Sequence, residues 1–406
     1  VDVAKHESYS LSDYKKVVLL VTDLSRMEDQ VQPLMDWTEK GGQTLFAVTM
    51  GKESNLDAID HNLGVSYSNF EMDEVKEIYV DPDFMIGGGR NYKIEEPFES
   101  ARKVSLESDV KVHAKTTDDS HTPLIWEKSY GKGKFVVDNL GIYERNVRGI
   151  YAASYSLLTE ATVYPVINGS TYYIDDFPSP VPAGDGRFVK RDYDMSVSEF
   201  YTNVWWPDLL KLHEKYGIVH TGVVIENYEA QTDGKIVQQN DLDRFKYFGN
   251  SLLANGGELG YHGYNHQPLT PKGVDYGDEF PTYKTWKDKK AMASAINELL
   301  RFTKELFPKG EKSIYIPPSN VLSKEGREVL REKFPEIKSI ASNYFPGKFT
   351  YSQEFEVADD GMIEQPRIVS GASWDAYSKL TVFSELNMHY VTTHFLHPDD
   401  AMDEDR

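Results

Sequence analysis

The chain has 406 residues, a formal net charge of -21 at pH 7, 40% hydrophobic residues and no cysteine. That length exceeds one ordinary domain, so two are expected. The lack of cysteine excludes disulfides, thiolate-bound zinc and a cysteine nucleophile, and the acidic balance speaks against nucleic acid or an anionic membrane as partner, since phosphate binding draws on Lys and Arg.

In chain order, Val17-Val18-Leu19-Leu20-Val21 is a continuous apolar run, which predicts a strand buried on both faces. A helix is predicted over residues 27 to about 40, with Val31, Leu34 and Met35 on its apolar face and Gly41-Gly42 ending it. Residues 44–48 form the next strand, and this β-α-β start predicts a doubly wound α/β domain. Gly87-Gly88-Gly89 lacks the Lys-Ser/Thr of a phosphate loop and reads as a turn. Residues 111–116, 124–129 and 134–139 predict antiparallel strands, the last two joined by a hairpin at Gly131-Lys132-Gly133, and a helix follows over 146–158. Residues 15–158 loosely resemble flavodoxin-like or class I glutamine-amidotransferase-like domains. Those amidotransferases use a cysteine that this chain lacks, so the first domain, residues 1–160, is expected to be non-catalytic.

The second domain is expected over 161–406. A β-prone run over 163–174, interrupted by Asn168-Gly169, drives into Asp175-Asp176 and breaks at Pro178, Pro180 and Pro182. The carboxylates therefore fall at the C-terminal end of a strand, where α/β folds bind ligands. Two adjacent carboxylates are costly to bury without a cation or proton between them, and a solvated Asp-Asp turn is the bland alternative. Residues 185–194 read as a polar loop. Residues 196–216 read as a helix opened by a Ser196/Glu199 capping box. A strand over 218–225, a helix over 240–254 and a strand over 258–261 lead to His262-Gly263-Tyr264-Asn265-His266. Histidines four apart can share one side of a helical turn, and two His with a carboxylate make a common divalent-metal site. Further on, helices over 286–307 and 324–334 alternate with strands over 313–316, 339–342, 364–369 and 390–395. Such alternation predicts a (β/α) barrel, which gathers strand ends into one mouth. Asp175, Asp176, His262, Ser319, Asn320, Arg367, His394 and His397 all fall at predicted strand ends.

With these motifs, residues 165–400 resemble the NodB-like polysaccharide deacetylases of carbohydrate esterase family 4. The resemblance implies a distorted (β/α) barrel that removes acetyl groups from N-acetylated sugars. It implies Asp175 as general base and Asp176, His262 and His266 as ligands of a divalent metal, read as zinc. Tyr315-Ile316-Pro317-Pro318 is similar to the third motif but lacks its Arg, for which Arg367 could substitute from another strand. Phe395-Leu396-His397 is similar to the last motif and implies His397 as general acid, with His394 as its rival. Ser373-Trp374-Asp375 is faintly like the family's Asp-Trp motif.

The resulting expectation is a metal-dependent hydrolase acting on an acetylated polysaccharide or oligosaccharide. A degenerate barrel that binds polysaccharide without turnover, and a glycoside hydrolase pairing Asp175 or Asp176 with Asp375, stand beside it. Tyr264, between the histidines, is expected at the rim of the site. Trp205, Trp206, Trp374 and Tyr377 are candidates for sugar-stacking walls, with core packing the favoured reading for the Trp205-Trp206 pair because their helix must bury a face. No apolar run reaches membrane-spanning length. The sequence starts at Val1 without a leader pattern, so a targeting segment beyond it and an extracytoplasmic or bacterial cell-surface location are expected.

Overall fold

The apolar run at Val17 forms the strand Lys16–Leu19, and Gln43–Phe46 and Gly133–Asp138 follow it in parallel order. The computed structural model describes residues 1–5, 7–51, 58–95, 99–178, 186–310 and 312–402. By its internal contacts the chain divides into two units: Val1–Gly169 with Trp374–Val391, and Ser170–Ser373 with Thr392–Arg406. The expected boundary near residue 160 therefore misses one feature. The helix Ala376–His389, expected within the second domain, returns to the first unit.

The first unit carries a mixed seven-stranded sheet. Beyond its three parallel strands run Pro123–Tyr130, Lys111–Thr116, Glu77–Val80 and Arg90–Lys93, all antiparallel to their neighbours. A separate antiparallel pair, Val65–Glu74 with Glu99–Leu106, was not legible in the sequence. Val65-Ser66-Tyr67-Ser68 and Phe70-Glu71-Met72-Asp73 each alternate apolar with polar, but a register shift between Ser68 and Met72 breaks the period-2 signal. Helix Val31–Glu39 buries Leu34 and Met35, as its spacing predicts. The Gly87-Gly89 stretch is a turn, with positive φ at both residues and Gly88 N–H bonded to the Met85 carbonyl at 3.0 Å.

The second unit is built on a nine-stranded sheet. Its order is Glu356–Val357, Ile363–Glu364, Ser339–Ile340, Ile314–Tyr315, Glu258–Tyr261, His220–Val224, Gly169–Phe177, Val391–Leu396 and Val369–Ser370. Only the first pair is antiparallel among the registers described. The chain order runs almost monotonically through the parallel strands with helices between them, which curls the sheet into the α/β half-barrel that the alternation predicted. Buried Phe245, Phe248, Leu299, Phe302 and Leu330 from three of those helices close the core against Ile174, Val224 and Leu259 of the strands.

Two local expectations are corrected. Of the loop expected over 185–194, residues Arg187–Tyr193 are helical, while Asp185, like Pro180 and Pro182, lies outside the described residues. The helix expected over 196–216 has the Ser196/Glu199 capping box, but a π-helical turn at Tyr201–Trp205 interrupts it before Trp206–Tyr216. Among the described residues no helix is long and apolar enough to cross a membrane.

Candidate active site

Asp175 and Asp176 end the strand Gly169–Phe177, as the sequence indicates. Adjacent residues of a regular strand point to opposite faces. Here the register slips between Ile174 and Phe177, and Asp176 adopts a left-handed φ of 56°. That turn brings both carboxylates to one place: His262 Nε2 lies 3.4 Å from Asp176 Oδ1 and 3.9 Å from Asp175 Oδ2. His266, Ser319 and Asn320 share positive φ values of 54°, 48° and 58°. Such backbone costs of order 1–3 kcal/mol per residue and concentrates where side chains must be aimed.

The histidine pair converges without the helical turn expected for it. His262 leaves the strand Glu258–Tyr261, Gly263 takes a φ of 90°, and the loop returns His266 beside it, the ring centroids 5.3 Å apart. His266 Nε2 is 3.6 Å from Asp176 Oδ1. His262 Nδ1 lies 2.9 Å from the Ile316 carbonyl. A carbonyl only accepts, so Nδ1 carries the proton. Burial lowers both imidazoles to about 4, so they are neutral and His262 Nε2 presents a bare lone pair. It faces Asp176 Oδ1, a buried oxygen with no hydrogen-bond partner. Burial also lifts the Asp176 carboxyl above its usual value, and the Asp175 charge adds to that. Acceptors aimed at one another need a proton or a cation between them. The ligand atoms of Asp176, His262 and His266 lie within 4.8 Å of one another, and the donor set fits a divalent metal.

Asp175 is fully buried and handled differently. Burial would raise its carboxyl, but the Arg367 guanidinium outweighs burial and holds it below the ordinary carboxylate value. Arg367 Nη1 donates to Asp175 Oδ2 at 2.5 Å, and Nη2 donates to Asn320 Oδ1. The guanidinium also lies over the Phe395 ring, 3.8 Å from its centroid. Asp175 Oδ1 remains buried and without a partner. His397 Nε2 lies 3.7 Å from Asp175 Oδ2, and its side chain is one-third exposed. Asp400 accepts from the His397 N–H at 2.9 Å, and together with Asp399 they form a second close group of possible ligands.

Several expectations fail here. His394 is turned away to the Gly371 carbonyl, 2.8 Å from Nε2, and to the edge of Tyr172. Tyr264 is no rim residue: it is buried in the core, and its hydroxyl donates to the Val237 carbonyl at 2.7 Å and accepts from the Val237 N–H at 2.6 Å. Trp206 is core, packed on Phe177, which is the reading favoured for it. Trp374 and Tyr377 belong to the first unit, and Asp375 caps the helix Ala376–His389 by accepting from the Ser378 N–H.

Two tyrosines were missed. The Tyr228 hydroxyl bonds the Asp176 carboxylate and its ring lies on His266 at 5.5 Å. The Tyr283 hydroxyl bonds Ser319 Oγ at 2.5 Å and lies 3.3 Å from His266 Nδ1. Tyr228 follows the strand His220–Val224, so the strand-end rule could have found it. Tyr283 comes from a loop and left no local signal.

Fold and site define a two-unit α/β protein whose curled parallel sheet carries a His-His-carboxylate group beside a buried Asp-Arg pair. The chain belongs to the family described as "Uncharacterised protein conserved in bacteria (DUF2194)", which matches it over residues 1–113 and 92–406. No curated protein matches it. Among solved structures, the carbohydrate deacetylase Agd3 is 11% identical, covering 93% of this chain and 68% of its own, with a TM-score of 0.48. A protein described as a polysaccharide deacetylase from Mycobacterium smegmatis is 17% identical, covering 59% and 82%, with a TM-score of 0.36. A CE4-family pseudoenzyme from Bacillus anthracis is 10% identical, covering 59% and 58%, with a TM-score of 0.31. At these scores the functional reading rests on the site alone.

Proposed function

We propose that this protein is a metal-dependent carbohydrate deacetylase that hydrolyses the acetamide of an N-acetylated polysaccharide. The observation that carries the reading is the bare, neutral His262 Nε2 facing the unpartnered Asp176 oxygen, next to an Asp175 whose charge is held by Arg367. Asp176, His262 and His266 would hold the cation, read as zinc. A divalent ion there polarises a carbonyl and lowers the pKa of water. Asp175 accepts the proton of the attacking water on its free Oδ1. Arg367, fixed by Asn320 and Phe395, keeps that carboxylate ionised and oriented. His397, on the same side of Asp175 and open to solvent, gives a proton to the departing amine, which leaves poorly without one. Tyr228 and Tyr283 fix Asp176 and His266 from outside the ligand set. The barrel that binds without turnover was considered for want of the third-motif Arg, and the Arg367 pair on Asp175 supports the reading with turnover.

The test is elemental analysis of the purified protein beside Asp176→Ala and His262→Ala, followed by acetate release from N-acetylated oligosaccharides. Near-stoichiometric zinc, cobalt or nickel in the parent and its loss in both variants is expected. A protein that takes up no metal on reconstitution at neutral pH sinks the reading.

A further inference from the structure

Beside the site lies a cavity of about 310 Å³ that the chemistry above does not use. Phe177 and Pro398 are in its wall, and they directly follow Asp176 and His397 in the chain. That size is at the lower end of small-molecule pockets, roughly 300–1,000 Å³, and suits one sugar ring. Trp205 and Tyr247 give it aromatic surface, and Asp243 gives it a carboxylate. Aromatic faces take the apolar C–H face of a pyranose, while carboxylates accept from its hydroxyls.

Arg244 is also in the wall and is the anomaly. It is partly buried, its Nη1 is inaccessible and without a hydrogen-bond partner, and no hydrogen bond to its guanidinium is found among the described residues. The field of Asp241 reaches it, but burial still pulls the guanidinium below its ordinary value. It occupies the first turn of the 12-residue helix Asp243–Ala254, where the helix dipole opposes a cation. A buried donor left unpaired is costly, the more so on a charged group. Among the described residues no hydrogen bond to the guanidinium offsets that cost, and a bidentate anion would.

We propose that this cavity is a subsite for a carboxylate-bearing sugar ring, with Arg244 gripping the carboxylate, Asp243 the hydroxyls, and Trp205 and Tyr247 the ring face. It rests on the deacetylase reading only in placing that ring in the same glycan chain as the acetylated sugar. The substrate class is then an acidic, N-acetylated polysaccharide, even though the protein's net charge is -21. A local guanidinium in an aromatic pocket selects against the global field, because exposed charges beyond about 8–10 Å are screened in physiological salt.

The test is calorimetric binding of methyl glucuronide against methyl glucoside to the full chain and to Asp176→Asn, Arg244→Lys and Arg244→Gln, each checked for its melting transition. The glucuronide should bind about tenfold more tightly than the glucoside to the parent and to Asp176→Asn, the size of one charge-assisted contact. Arg244→Lys should keep part of that preference and Arg244→Gln should lose it. Equal binding of the two glycosides, or a preference that survives Arg244→Gln in a folded protein, overturns the proposal. Glucuronide binding without acetate release from any N-acetylated oligosaccharide removes the deacetylase reading and leaves the anion site standing.

Discussion

Each unit buries an aspartate at the C-terminal end of a strand, and the two are opposites. Asp138 ends Gly133–Asp138 in the first unit and Asp175 lies near the end of Gly169–Phe177 in the second; both are 1% exposed. Among the described residues Asp138 meets Ser154 Oγ at 2.5 Å and no cation, its Oδ2 has no partner there, and burial pushes it up to about 8. It is a neutral acid in a core. Asp175 has Arg367 at 2.5 Å and stays ionised in spite of burial. Burial and strand position are shared, so neither makes a site. The charge partner does, and it decides which buried carboxyl can accept a proton at neutral pH.

The largest effect should come from removing that partner. Arg367→Met leaves a buried, unpaired carboxylate and should cost about 3–5 kcal/mol in urea unfolding, with acetate release abolished. Adding Asp175→Asn should return most of the stability and none of the activity. A single variant as stable as the parent would mean the pair is not what sets Asp175 apart.

Asp138 should behave in the opposite sense. Its folded pKa of about 8 lies above the ordinary 3.8. The folded state therefore holds the extra proton between those values, and stability falls as pH rises across that window and levels off above it. The slope is about 1.4 kcal/mol per pH unit at most. Between about pH 6 and about pH 7 the parent should lose up to that much relative to Asp138→Asn, measured by unfolding both at each pH. Parallel pH profiles would show that Asp138 is ionised and that the contrast with Asp175 is false.

Smaller tests separate scaffold from site. Tyr264→Phe removes both bonds to the Val237 backbone and should cost about 1–2 kcal/mol while metal content is unchanged. Metal loss in that variant would return Tyr264 to the site. Asp375→Ala removes a helix cap in the first unit and should cost about 1 kcal/mol, with acetate release unaltered. A large loss of activity at full stability would revive Asp375 as a catalytic carboxylate.

What the sequence determined was local. Strand formers ending in Asp175-Asp176, a short strand running into His262, and helices alternating with strands were legible because periodicity and chain breakers act within a few residues. These marked Asp175, Asp176, His262, His394 and His397 as strand-end candidates, and the family resemblance implied the roles of Asp176, His262, His266 and His397. The long-range pairings were hidden. Arg367 meets Asp175 across 192 positions, and His394 and His397, three residues apart, differ only in which way the end of the strand turns them. Nor could the sequence show that Asp176 would leave the strand's alternation. A left-handed φ at a non-glycine residue is imposed by the surrounding fold rather than preferred by the residue itself. Tertiary structure alone decided that two neighbouring carboxylates face one site, and it gave one of them a buried cation and the other a pair of histidines.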